Sequence, residues 1–365
     1  MTKPASVKPE GPLRRGWTTG ACATAATKAA YTALLTRAFP DPVEIVLPRG
    51  ERPSFALAHT IRTEDAATAG IVKDAGDDPD VTHGALILST VYHGAPGSGV
   101  NFRAGPGVGT VTKPGLPIPP GEPAINPVPR QMMQAVVAEV AAAFGGSGDV
   151  VVEISVANGE ALAKKTWNPR LGIVGGLSIL GTTGVVVPFS CSAWIHSIQR
   201  GVDVARALGL THVAGCTGST SEGFVKRLYG LDDSALLDMG DFAGGLLKYM
   251  KRHPLPKLTI AGGFAKMVKL GQGALDLHSG RSQVDLDWLA GRLEECGAGP
   301  GMVAAARTAN TAKQVLDAAM AAGVPLADAV AEAARRTALD VLDGAEIAVE
   351  VLAVDRTGHL VGRAG

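Results

Sequence analysis

The chain is short of several things, and each shortage removes a class of protein. Its 365 residues hold four cysteines, Cys22, Cys191, Cys216 and Cys296, with no close pair among them. Such spacing argues against a disulfide framework and a zinc site, and it suits a reducing cytoplasm. Charge of one sign is not in surplus: 34 basic side chains are matched by 34 acidic ones. A nucleic-acid surface draws on a basic excess, so nucleic acid drops out as an expected partner. No apolar run reaches the about eighteen residues of a membrane helix, and MTKPASVKPEGP at the start lacks the apolar stretch of a signal peptide. The expected location is the cytoplasm, with no membrane partner. HExxH, Walker-type phosphate loops, paired Cys-His motifs and any defensible Ser-His-Asp spacing are also missing.

What is present describes a globular protein, with 46% hydrophobic and 19% charged residues. The length exceeds one ordinary core and suits two domains. Residues 1–12 read as a loose tail. The Ala-rich run after Thr18-Thr19-Gly20 reads as a helix, with Thr18 or Thr19 as its N-cap. Strand-like pieces follow at 43–47, 55–59, 70–73, 85–92 and 108–112. The segment 114–130, PGLPIPPGEPAINPVPR, carries seven prolines and is expected to be stiff, extended and non-helical. A helix with Met133, Val137, Val140 and Phe144 on one face comes next, then an alternating strand at 150–157.

After residue 170 the pattern changes to strands alternating with helices, which predicts a mainly parallel sheet covered on both faces. Helices are expected at 192–208 and across 302–343, broken at Gly323-Val324-Pro325. The expected organisation is a mixed α+β domain at 13–170, an α/β domain with Ala-rich helices at 171–343, and a closing β-hairpin at 344–365 of open domain membership.

Thr211 to Val225, THVAGCTGSTSEGFV, reads as strand, glycine turn and helix start, the usual geometry of a small-molecule site. A plain turn without ligand is the competing reading. Gly297-Ala298-Gly299-Pro300-Gly301 looks like the signature of the common tetrapyrrole methylases. Here it follows a helical stretch late in the chain, so it reads as a helix stop and turn. His83 precedes the apolar strand beside an acidic turn, where it could shuttle a proton or satisfy backbone groups. Lys266 and Lys269 lie one helical-face step apart, near His278, and form either a positive patch or ordinary solvated surface.

Several segments, in order, resemble the cobalt-precorrin-5B C-1-methyltransferase (CbiD) family. They are Arg15-Gly16-Trp17-Thr18-Thr19-Gly20-Ala21-Cys22-Ala23, the acidic turn from Asp74 to Gly84, and Gly105 to Arg130. Thr217 to Glu222, Gly240-Asp241-Phe242 and Gly262 to His278 complete the set. Cys216 before the turn and Ser219-Thr220 within it depart from the family's pattern, where more basic residues are expected.

The resemblance implies methyl transfer from S-adenosylmethionine to ring carbon C-1 of a contracted tetrapyrrole, on a fold unlike the common tetrapyrrole methylases. Direct displacement of that kind needs alignment, a dry site and charge matching rather than a covalent nucleophile. On this reading Gly215, Thr217, Gly218, Ser221, Glu222 and Asp241 hold the cofactor, Glu222 being placed for ribose hydroxyls or the amino group. Thr18, Thr19, Arg130, Lys266, Lys269 and His278 line the tetrapyrrole, and His83 removes a proton. No protein-bound metal is expected, whether or not the substrate carries cobalt, and other corrin-pathway enzymes are possible partners. Two rivals stand beside this reading: a non-catalytic tetrapyrrole carrier, and a small-molecule kinase using Thr18-Thr19-Gly20-Ala21 as a phosphate cradle.

Overall fold

A computed structural model describes residues 11–365, so residues 1–10 of the expected tail lie outside the described residues. The chain divides between Ser190 and Cys191 into two compact units. That division falls beyond residue 170 because short ladders draw the intervening stretch into the first unit. Ile173–Val174 pairs with Thr110–Val111, Gly176–Leu177 with Gly107–Val108, and Val185–Val186 with Gly16–Trp17.

The first unit is built on a five-stranded sheet: β1 (His59–Arg62), β2 (Ala66–Val72), β3 (Leu86–His93), β4 (Val100–Ala104) and β5 (Val150–Val156), in the order β1-β2-β3-β5-β4. All neighbours are antiparallel except β5 and β4. Period-two alternation sends Ile87, Ser89 and Val91 of β3 and Val150, Val152, Ile154 and Val156 of β5 to the buried face. Against it packs α1 (Thr19–Thr36), and α2 (Pro127–Phe144) packs against α1. Fifteen of the eighteen residues of α1 are buried, seven of them alanines, so the helix sits where a bulkier one could not approach. Its Thr24, Thr27 and Thr32 hydroxyls donate to carbonyls four residues back, satisfying polar groups that have no water.

The proline-rich segment differs from expectation at its end. Pro127 opens α2, where a missing N–H has no helical partner to lose, and Pro129 lies in the same turn. Of the expected strand at 43–47 only Val43–Glu44 pairs, with Ser54–Phe55. Strand β4 alternates in sequence yet falls outside the expected elements.

The second unit runs α3 (Cys191–Ala207), β6 (His212–Cys216), α4 (Ser219–Tyr229), β7 (Leu236–Asp238), α5 (Ala243–Met250), β8 (Lys257–Gly263) and α6 (Phe264–Gly271). Four helices follow, α7 (Leu286–Glu295), α8 (Pro300–Arg307), α9 (Ala312–Ala321) and α10 (Leu326–Leu342), then β9 (Ala348–Val354) and β10 (Leu360–Ala364). The sheet order is β7-β6-β8-β9-β10, parallel except for the final pair. The closing hairpin therefore belongs to this sheet, with β9 in register along the whole of β8. One face carries Ala214, Cys216, Ala261 and Leu352 under Val225 of α4. The other carries Val213, Leu258, Ile260 and Val351 under Ile198, Leu246, Met267 and Val330 from α3, α5, α6 and α10. Both faces are covered, as a parallel sheet requires. The glycines at 297–301 make the turn between helices: Gly297 takes φ +81° after α7, and Gly299 is the N-cap of α8.

Candidate functional site: the switch point of the parallel sheet

From β6 the chain goes to β7 on one side, then crosses to β8 on the other. This reversal of strand order opens a crevice beyond the carboxyl ends of β6 and β8, the place where open α/β sheets bind ligands. Two helices begin there. The N-cap of α4 is Gly218 and that of α6 is Gly263, and neither helix start has a side-chain cap. A Cβ added at either glycine would meet no atom within 4 Å, so both helix starts face open space. Their first N–H groups are free to serve an anionic or acceptor group of a ligand.

Lys266 is the cation of this crevice. Its Nζ donates to the Thr217 carbonyl at 3.0 Å and lies 3.1 Å from Oδ1 of Asp241. One ammonium thus ties the turn after β6 to the turn after β7. Thr217 is nearly buried, with its N–H bonded to Ala261 of β8 at 2.9 Å. Ser221 donates to the Gly218 carbonyl at 2.9 Å and stiffens the first turn of α4, which also carries the partly buried Glu222. Asp241 lies one residue before Phe242, which is the N-cap of α5, and its carbonyl accepts from Leu277.

Thr217, Gly218, Ser221, Glu222 and Asp241 are thus on the loops and first turns at this end of the sheet, with Lys266. Gly215 is not at the crevice. It lies within β6, where a Cβ would come 2.4 Å from Leu246 Cδ2 and 3.1 Å from Met239 Sδ. Its role is to let α5 lie close to the sheet. Lys269 points away from any patch shared with Lys266: it is buried and donates to the Leu277 carbonyl at 3.0 Å. His278 sits in an exposed turn, its Nδ1 accepting from the Gly280 N–H at 3.0 Å.

In the first unit the expected site residues serve the fold. Thr18 caps α1, its hydroxyl accepting from the Ala21 N–H at 3.2 Å. The Thr19 hydroxyl accepts from the Leu180 N–H at 2.9 Å, and the Gly20 N–H donates to the Leu180 carbonyl at 3.0 Å. The start of α1 is therefore buried and occupied, which removes the phosphate cradle and with it the kinase reading. Arg130 donates to the Ile125 and Pro123 carbonyls at 2.8 and 3.1 Å, pairs with Glu122 at 3.1 Å and lies over the Phe102 ring. It fastens the proline-rich segment to α2.

His83 is half-exposed and its Nδ1 accepts from the Ala75 N–H at 3.1 Å. Asp74 beside it is paired with Arg14, and the bond from that guanidinium pulls its pKa down to about 2. The rest of the acidic turn is likewise engaged. Lys73, 1% exposed, bonds to Asp80 at 2.7 Å, and Asp78 accepts from the Phe189 N–H at 2.8 Å. Cys22 is fully buried, and burial raises its thiol to about 12, which leaves it an inert packing group.

The second unit has a further surface beside the crevice that the sequence does not announce. Trp194 near the start of α3 donates to the Asp238 carbonyl at 3.1 Å, and its ring lies 6.3 Å from that of Phe242. Arg281, paired with Asp276, lies 5.8 Å over the Phe242 ring. No residue spacing could have found this shelf, because Trp194, Asp238 and Arg281 meet only through the sheet.

The structure is a doubly covered α/β unit with a crevice at its switch point, the class of fold that takes small ligands there, joined to an α+β unit. Residues 6–188 match the family model described as CbiD, and residues 276–365 match that of the CbiD C-terminal domain. A protein of Bradyrhizobium sp. (strain BTAi1) is 64% identical over 352 residues, covering 96% of this chain and 94% of its own. One of Paramagnetospirillum magneticum is 62% identical over 355 residues, covering 97% and 99%. Both are named cobalt-precorrin-5B C(1)-methyltransferase. The chain belongs to the CbiD family. A crystal structure of a cobalamin biosynthesis protein (CbiD) from Archaeoglobus fulgidus is 28% identical, covers 74% of this chain and 84% of its own, and has a TM-score of 0.41.

Proposed function

We propose that this protein methylates ring carbon C-1 of cobalt-precorrin-5B with S-adenosylmethionine as donor, and that the donor sits at the switch point of the second unit. Family membership and the names of its close relatives support the reaction. The observation that carries the donor site is the pair of uncapped helix starts at Gly218 and Gly263 with Lys266 between them. S-adenosylmethionine, when bound, supplies an electrophilic methyl group on a sulfonium, together with a carboxylate, an amino group and ribose hydroxyls.

The residues fit those groups. The first N–H groups of α4 and α6 and the Lys266 ammonium receive a carboxylate, and the Asp241 and Glu222 carboxylates receive an amino group or hydroxyls. Thr217 and Ser221 hold the turn that aims the N–H groups. No nucleophile is asked of the chain: alignment of two reactants and exclusion of water carry methyl transfer.

The first test is incubation with methyl-labelled S-adenosylmethionine and the tetrapyrrole. Label should appear on the ring, whereas a carrier binds the ring and leaves it unlabelled. For the donor site, Lys266→Met should raise KM for the donor by about tenfold or more, the scale of one lost charge-assisted contact, with KM for the tetrapyrrole unchanged. An unchanged donor KM removes the switch point as the donor site.

A further inference from the structure

Beside the crevice, α5 and α3 border a groove of about 400 Å³ lined by Ile195, Phe242, Leu275, Tyr249, Lys248 and Arg252, among others. Its floor is apolar and aromatic, and it continues into the shelf formed by Trp194 and Phe242. Its rim is cationic. Lys248 and Arg252 are exposed, stand four residues apart at the end of α5, and neither side chain makes an ion pair among the described residues. Their neighbour Lys251 does pair, with Asp343. The carboxylate that lines the groove, Asp276, is neutralised by Arg281, whose guanidinium lies over Phe242.

An apolar, aromatic floor edged by unpaired cations is complementary to the face of a macrocycle fringed with carboxylates. The groove's cationic rim is a poor match for the positive sulfonium of S-adenosylmethionine. We infer that this groove seats the polycarboxylate tetrapyrrole, with Lys248 and Arg252 binding its peripheral carboxylates and Phe242 and Ile195 supporting its face. The inference rests on the methyltransferase reading for the identity of the ring. The groove begins at Phe242, next to Asp241 of the donor site, so both ligands are held on successive residues of one turn. The two cations bind carboxylates differently, since Arg252 offers a bidentate fork to one of them and Lys248 a single charge.

The test is a binding titration of the unmodified full-length protein with the tetrapyrrole, followed by tryptophan fluorescence, beside the double variant Lys248→Ala/Arg252→Ala. Both side chains are exposed, so the variant should keep its circular dichroism and Tm. The dissociation constant for the tetrapyrrole should rise by about tenfold to a hundredfold, and its salt dependence should flatten because fewer carboxylates are neutralised. In turnover, KM for the tetrapyrrole should rise with KM for the donor unchanged, and Lys248→Arg/Arg252→Lys should restore most of the loss. Unchanged tetrapyrrole affinity in the alanine variant overturns the inference, as does a rise confined to the donor. Absence of methyl transfer by the unmodified protein would strike the proposed function instead, and the binding titration would still decide the groove.

Discussion

His83 shows how one hydrogen bond alters what a residue can do. Its Nδ1 accepts from the Ala75 N–H, so the neutral ring carries its proton on Nε2 and presents a donor to solvent. A base needs a free lone pair, and this ring must surrender the Ala75 bond to provide one. A catalytic base at His83, the expectation drawn from a histidine beside an acidic turn, would have to break that bond first. His83→Ala should lower kcat by less than about tenfold, against the 10²–10⁴ typical for loss of a general base. It should cost about 1 kcal/mol of stability, from the stranded Ala75 amide, read by denaturant unfolding. A hundredfold fall in kcat with loss of an ionisation from the pH profile would restore the catalytic role. Other single residues divide the same way. The cap of α1 was legible to one of two residues, Thr18 or Thr19, because the capping rule is local, and Thr18 takes it. Lys266 and Lys269 were inseparable by spacing, since the partner of Lys269 is the Leu277 carbonyl, supplied by a turn outside the helix.

Elements were legible where their pattern is local and strong. The alternation of β3 and β5, the Ala-rich α1 and the break between α9 and α10 lie near their expected places, whereas the break between α8 and α9 falls inside a stretch expected to be helical. The two-residue ladders were not legible, because nothing local marks which dipeptide finds a partner. Strand β4 pairs on one side only, and its inward Val100, Phe102 and Ala104 are only partly buried opposite exposed Asn101 and Arg103, so the burial contrast behind its alternation is weak. Gly215 shows two uses of a strand glycine: near a strand end it suggests a ligand approaching the backbone, and here helix α5 approaches it. Gly215→Ala should destabilise the protein by ~1–3 kcal/mol, the range for overpacking a filled core, because Leu246 is fully buried and has little room to retreat. Shortening the obstruction should recover part of that loss. In a double-mutant cycle with Leu246→Ala the two changes should be less than additive, as chemical denaturation would show. If Gly215→Ala is as stable as the parent and instead raises KM for the donor, the glycine faces the ligand after all.

At the scale of the whole molecule, the α+β then α/β order was readable because strand–helix alternation is a property of long segments. The home of the closing hairpin was not, since it depends on a register formed between β8 and β9, which are far apart in the chain. A buried polar network secures that pairing. Glu350 of β9, 3% exposed, accepts from Tyr229 of α4 at 2.6 and 2.7 Å, Thr259 of β8 at 2.8 Å and Arg363 of β10 at 2.6 and 3.0 Å. Burial alone would raise its carboxyl, but the bonds from Tyr229, Thr259 and Arg363 outweigh it and hold the pKa below the ordinary value. A carboxylate depressed in the folded state stabilises it fully above the unfolded pKa of about 4.3, and that contribution is lost as pH falls through the folded value. Asp74 and Asp355, each held at about 2, act in the same direction, while Asp78, raised by burial, opposes them. His212, lowered by burial, begins to erode stability below about pH 6.5, where the unfolded ring takes up a proton. The Tm should therefore decline gently from about pH 6.5 and steeply below about pH 4. Glu350→Gln should cost about 3–5 kcal/mol at about pH 7, as expected when one member of a buried charged network is removed. Its deficit should shrink as the pH falls below about 4, because the parent then protonates the same carboxyl. A deficit that stays constant down to about pH 3 would mean that the Glu350 charge does not hold the sheet together, and that its packing alone does.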